Sequence, residues 1–153
     1  MRALELRIPP PLVMVAAALL MLAAAKLLPS LAFALPGKGV WAALIAVLGI
    51  AVAGAAVLQF RRAKTTLNPM RVHAASSLVT SGMFRISRNP MYLGMVLLLI
   101  AWAVHLANAA AVLVLPLFVV YITCFQIAPE ERSMQKLFGN AFVAYTKATR
   151  RWL

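Results

Sequence analysis

Residues 88–131 read RNPMYLGMVLLLIAWAVHLANAAAVLVLPLFVVYITCFQIAPEE. Two long apolar runs, about Met91–Leu106 and Ala109–Ile127, are joined only by Leu106-Ala107-Asn108. So short a link forces two helices into an antiparallel hairpin. Met91 lies about 16 residues along one arm and Pro129 about 20 along the other; at roughly 1.5 Å per residue, both stand some 24–30 Å from the turn. The hairpin therefore brings Arg88-Asn89-Pro90-Met91-Tyr92 level with Pro129-Glu130-Glu131.

The rest of the chain supports membrane helices. Of 153 residues, 64% are hydrophobic and only 12% charged; the mean hydropathy is +0.92. A soluble domain runs nearer half apolar. The pattern predicts an all-α, single-domain integral membrane bundle of four transmembrane helices plus a C-terminal amphipathic cytoplasmic helix. The first two spans are expected at about Leu12–Leu28, after Pro9-Pro10-Pro11, and at Val40–Phe60. Within the one domain, 1–153, residues 1–60 carry these two spans and 61–153 the chemistry. Arg2, Arg7 and Ala23-Ala24-Ala25 resemble a signal peptide, but Glu5 and the prolines argue for a retained helix. From Pro129 onward, Met134, Leu137, Phe138, Ala141, Phe142 and Tyr145 recur at helical spacing among polar residues, with a kink expected at Gly139-Asn140. Gly49, Ala53 and Gly54 form a small-residue stripe fit for close helix packing.

Charge sets the orientation. The net charge is +12, with 15 Lys/Arg against three acids. If both termini share one side, thirteen positive residues fall there and two, Lys26 and Lys38, on the other. The cytoplasm is expected on the crowded side. Cations flanking apolar spans point to membrane lipids as partners and not to nucleic acid. The lone cysteine, Cys124, excludes an intramolecular disulfide and reads as a small buried hydrophobe. No metal-ligand cluster is present, and His73 and His105 are expected on opposite sides of the membrane.

Two of the three acids, Glu130 and Glu131, thus sit at the mouth of the hairpin, facing an arginine, an asparagine and a tyrosine. On spacing alone, two readings stand. One is a binding site at a bundle end. The other is ordinary helix-start chemistry: proline and acids opening a helix, with Arg88 and Tyr92 as interfacial anchors.

The stretches LVTSGMFR (78–85) and SRNPMYLG (87–94), followed by Glu130-Glu131, Phe138-Gly139, Tyr145 and Arg150-Arg151-Trp152, resemble the signature of integral membrane methyltransferases. These are the isoprenylcysteine carboxyl methyltransferases and phospholipid methyltransferases. Thr65-Thr66-Leu67-Asn68-Pro69 resembles a segment that precedes the signature. The resemblance covers about residues 60–153. It implies methyl transfer from S-adenosylmethionine to a lipophilic small-molecule or lipid acceptor. It implies that Arg88, Asn89, Tyr92, Glu130 and Glu131 form the cofactor pocket, with Val79, Gly82, Tyr145 and Arg150 lining it. Arg88, Glu130 and Glu131 become the candidate catalytic residues, and the bacterial inner membrane the expected location. Met83-Phe84 stands where Pro-Tyr is usual, Asn89 where the eukaryotic prenylcysteine enzymes have His, and Met134 where Leu is usual. Ala141 and Phe142 interrupt the usual tyrosine pattern. The resemblance therefore implies methyl transfer to a lipid-like or isoprenoid-like carboxylate, amine or thiol-derived acceptor, and these departures count against prenylcysteine itself. An NADPH-dependent membrane reductase and a non-enzymatic scaffold are the alternative classes.

Overall fold

Proline opens the first helix, α1 (Pro10–Leu27), where the missing N–H costs no intrahelical bond. A 3-10 turn, Pro29–Leu31, leads to α2 (Lys38–Arg62). Pro90 opens α3 (Pro90–Leu106) in the same way. After the turn come α4 (Ala109–Val112), α5 (Val114–Ile122), α6 (Ala128–Phe138) and α7 (Asn140–Ala148). This computed structural model describes residues 5–62 and 78–153. The Thr65–Pro69 segment, Lys64, Arg71 and His73 lie outside them.

Among the described residues, three helices are long and apolar enough to cross a membrane: α1, α2 and a continuous helix from Ala109 to Phe138. The fourth, α3, is equally apolar but has 17 residues. Large apolar side chains on the outside are exposed, among them Leu19, Val47, Ile50 and Leu117. In water that surface would drive association; in a bilayer it is the lipid contact.

Inside, Met21, Leu99, Ile122 and Ile127 are fully enclosed and pack together. Lipid tails are as apolar as these side chains, so close van der Waals contact holds the helices together. The α2–α3 seam shows how close. A Cβ on Gly94 would lie 2.7 Å from the Ala53 Cβ and 2.8 Å from the Gly49 carbonyl oxygen. Gly49 and Ala53 thus work as the small-residue stripe predicted, whereas Gly54 meets nothing within 4 Å.

Both ends of the bundle are tied by polar contacts. At the hairpin end, Ala107 takes a left-handed conformation (φ 49°). The buried Asn108 accepts the N–H groups of Ala110 and Ala111 and donates to the Leu28 carbonyl at 2.9 Å. The Phe33 N–H reaches the Ala107 carbonyl at 2.9 Å. At the other end, Gln126 donates to the Ile8 carbonyl at 2.8 Å, and Arg132 pairs with Glu5 at 2.5 Å. These ties show the alternating arrangement of α1, α2, α3 and the Ala109–Phe138 helix.

One boundary differs from the sequence reading. No break separates the last span from the polar tail at Pro129. The helix runs on through a π turn, Thr123–Ile127. Pro129 has no N–H to give the Phe125 carbonyl four residues back. The Leu6 N–H takes that carbonyl at 3.0 Å. The true break comes at Gly139, whose φ of 51° separates α6 from α7. Glu130 and Glu131 lie beyond the apolar part of this helix, which ends at Ile127.

Candidate functional site

Three pieces of backbone converge where the bundle ends. The 3-10 turn Gly82–Arg85 leads through Ser87 into Asn89 at the start of α3. The opening turn of α6 supplies Glu130 and Glu131. After Gly139, α7 folds back, and the terminal Thr149–Trp152 stretch lies against residues 87–89. The Arg88 N–H donates to the Arg150 carbonyl at 3.0 Å. The Asn89 side chain donates to the Arg151 carbonyl at 2.9 Å, and the fully buried Ser87 hydroxyl donates to the same oxygen at 3.3 Å. Ser87 also accepts from the Asn89 N–H at 3.1 Å.

A cavity of about 90 Å³ opens between these pieces. Seven residues singled out from the sequence line it: Val79, Arg88, Asn89, Tyr92, Glu130, Glu131 and Tyr145. Two others fall outside its wall. Gly82 lies against α2; a Cβ there would sit 1.9 Å from the Gln59 amide nitrogen, and its φ is 57°. Gln59 in turn accepts the Met83 N–H at 3.1 Å. Arg150 presents its backbone carbonyl to Arg88 and leaves its side chain exposed.

The polar side of the wall is charged and asymmetric. Glu131 takes both arms of Arg151, Nε at 3.1 Å and an Nη at 2.6 Å, and also an Arg88 Nη at 3.3 Å. Forked arginine–carboxylate bonds of this kind are strong and directional. Glu130 instead accepts the Tyr92 hydroxyl at 2.5 Å. Burial pushes the Glu130 carboxyl up to about 7; the Tyr92 hydrogen bond pulls it down and the neighbouring Glu131 charge adds to the rise. The Arg88 Nε is buried and has no hydrogen-bond partner among the described residues. A buried donor left so is costly, and marks a place for an acceptor.

The apolar side holds Phe60, Phe84, Met91, Met134 and Phe142. Phe60 and Phe84 meet edge to face at 5.0 Å. The Tyr145 hydroxyl donates to the Phe84 carbonyl at 2.7 Å and is pushed up to about 12 by burial against the pull of Arg88. Spacing did not single out the aromatic wall or Ser87. An apolar residue in an apolar chain carries no local signal, and Ser87 matters only through contacts with the distant tail.

This arrangement defines a class: a helical membrane protein whose end holds a small cavity with a carboxylate pair and an arginine. The phospholipid methyltransferase family model matches residues 38–141, and the chain belongs to that family. It is also similar to an uncharacterized protein of Haemophilus influenzae, 41% identical over 63 residues. That match covers 41% of this chain and all of the relative. No solved structure matches the chain.

Proposed function

We propose that the protein is an S-adenosylmethionine-dependent methyltransferase of the bacterial inner membrane, with both termini cytoplasmic. Its acceptor is a lipid or another lipophilic molecule that reaches the cavity from the bilayer. The observation that carries this reading is the cavity wall itself. One side offers carboxylates, a tyrosine and a buried arginine donor without a partner among the described residues; the other is aromatic and apolar.

That donor set suits the cofactor's groups. Glu130 and Glu131 match an ammonium or ribose hydroxyls. Arg88, with its buried guanidinium at the wall, matches a carboxylate. The aromatic side matches a flat ring. When bound, the cofactor supplies a methyl group already activated on a sulfonium. The chain's own work is then positional: it orients the acceptor and keeps water out. Phe60, Phe84, Met134 and Phe142 provide the dry side. An acceptor that must shed a proton meets, in Glu130, a carboxyl tuned near neutrality, the range suited to a general base.

The test is calorimetric titration of S-adenosylhomocysteine into the detergent-purified protein. The wild type should bind. A Glu130→Gln/Glu131→Gln variant should bind at least tenfold more weakly, a loss of roughly 1.4 kcal/mol. Arg88→Lys, which keeps the charge and loses the fork, should also weaken it. Thermal unfolding of each variant checks the fold. A folded wild type that binds NADPH and not S-adenosylhomocysteine would replace this reading with a reductase.

A further inference from the structure

Glu131 has more cationic partners than it needs. Three guanidinium nitrogens from two arginines converge on its two oxygens. The two arginines are not alike. The Arg88 side chain is 13% exposed, its Nε is buried, and its backbone opens the turn into α3. The Arg151 side chain is 41% exposed. The backbone of Arg151 is held independently of that side chain, by Asn89 and Ser87 on its carbonyl oxygen. The Arg151 guanidinium can therefore leave Glu131 while the tail stays in place. Arg88 is the more enclosed of the two and is itself part of the cavity wall.

Charge makes this difference consequential. A cationic group entering beside Glu131 would be the third positive charge on one carboxylate. If Arg151 swings to solvent as that group enters, one cation replaces another and the local charge is unchanged. The forked pair that Arg151 gives up is replaced by the incoming cation on the same carboxylate, and Arg151, 41% exposed, is already partly in solvent. We propose that Arg151 is a resident counter-ion for Glu131, displaced by the cationic group of an incoming ligand. The C-terminal tail thereby holds the empty site in register, and Arg151 competes with the ligand. This rests on the proposed cofactor reading, in which the incoming cation is the ammonium of the adenosyl amino acid.

The competition has a sign that a merely structural salt bridge lacks. Removing a competitor strengthens binding; removing a structural support weakens it. S-adenosylhomocysteine is titrated calorimetrically into the wild type, Arg151→Gln and Arg151→Lys in the same detergent, with thermal unfolding measured in parallel. Arg151→Gln should bind three- to tenfold more tightly than the wild type, with Arg151→Lys between them. Equal or weaker binding by a folded Arg151→Gln overturns the proposal. If that variant does not fold, Arg151→Lys decides by the same sign, since it keeps the charge and loses only the fork. Absence of binding by both the wild type and the variants overturns the cofactor reading as well. Binding by Arg151→Gln alone would instead be the strongest support for displacement.

Discussion

Glu130 and Glu131 are adjacent in sequence and differ in nearly everything else. About 100° of helix separates their side chains. One meets a tyrosine hydroxyl, the other two guanidiniums. The consequence is testable as pH dependence. Glu130 rises from 4.5 to about 7 on folding. Between those values the folded chain holds a proton that the unfolded chain has lost. Glu130 therefore favours the fold most below the lower value, and this contribution is lost as pH rises through the upper one. Thermal stability in detergent should fall across that window, with a slope approaching ~1 kcal/mol per pH unit at most. Glu130→Gln should flatten the fall. Tyr92→Phe, which removes the hydrogen bond that lowers Glu130, should move the window upward. A wild type with flat stability over that range would show that the carboxyl is not desolvated. The cluster was legible because a short hairpin link makes counting reliable. The second arginine on Glu131 was not: Arg151 reaches it after the chain turns at Gly139, and no local pattern reports where the tail lands.

At the scale of elements, boundaries rather than identities escaped the sequence. The apolar helices were readable from their length, and the hairpin from the shortness of the Leu106-Ala107-Asn108 link. The π turn at Thr123–Ile127 was not, because Thr-Cys-Phe-Gln-Ile contains no residue that announces it. Its cause is shared between Pro129, which leaves the Phe125 carbonyl free, and the N-terminal segment that occupies it. The α2–α3 seam gives this scale its prediction. Alanine is the better helix former by about 1 kcal/mol, so Gly→Ala in a helix should stabilise where space allows. At Gly54 there is space, and Gly54→Ala should be neutral or slightly stabilising. At Gly94 the added methyl meets the Gly49 carbonyl and the Ala53 Cβ, backbone and near-backbone atoms that cannot swing aside. Overpacking there should cost about 1–3 kcal/mol. Midpoints of thermal unfolding for the two variants should move apart; equal midpoints would mean that the seam is looser than described.

For the whole molecule, the bundle's two ends differ sharply in charge. Arg7, Arg61, Arg62, Arg85, Lys136, Lys147 and Arg150 are exposed at the end that holds the cavity. Lys26 and Lys38 flank the connection at the hairpin end. The described acids do not offset this, since Glu5, Glu130 and Glu131 are all engaged with Arg132, Tyr92, Arg88 and Arg151. An excess of Lys and Arg on one side retains that side in the cytoplasm. The cavity would then open where a soluble cofactor is made, while the acceptor arrives through the lipid. Cys124, expected to be buried, is exposed, so single cysteines introduced in a Cys124→Ala background test this. Lys38→Cys should react with a membrane-impermeant thiol reagent added to intact bacterial spheroplasts. Arg7→Cys and Lys147→Cys should react only after the membrane is opened. The reverse pattern would place the cavity outside the cell and count against the proposed cofactor. Labelling of Arg7→Cys and Lys147→Cys from opposite sides would break the alternating arrangement of the four helices. Only the first pattern joins the charge asymmetry and the position of the cavity in one physical account.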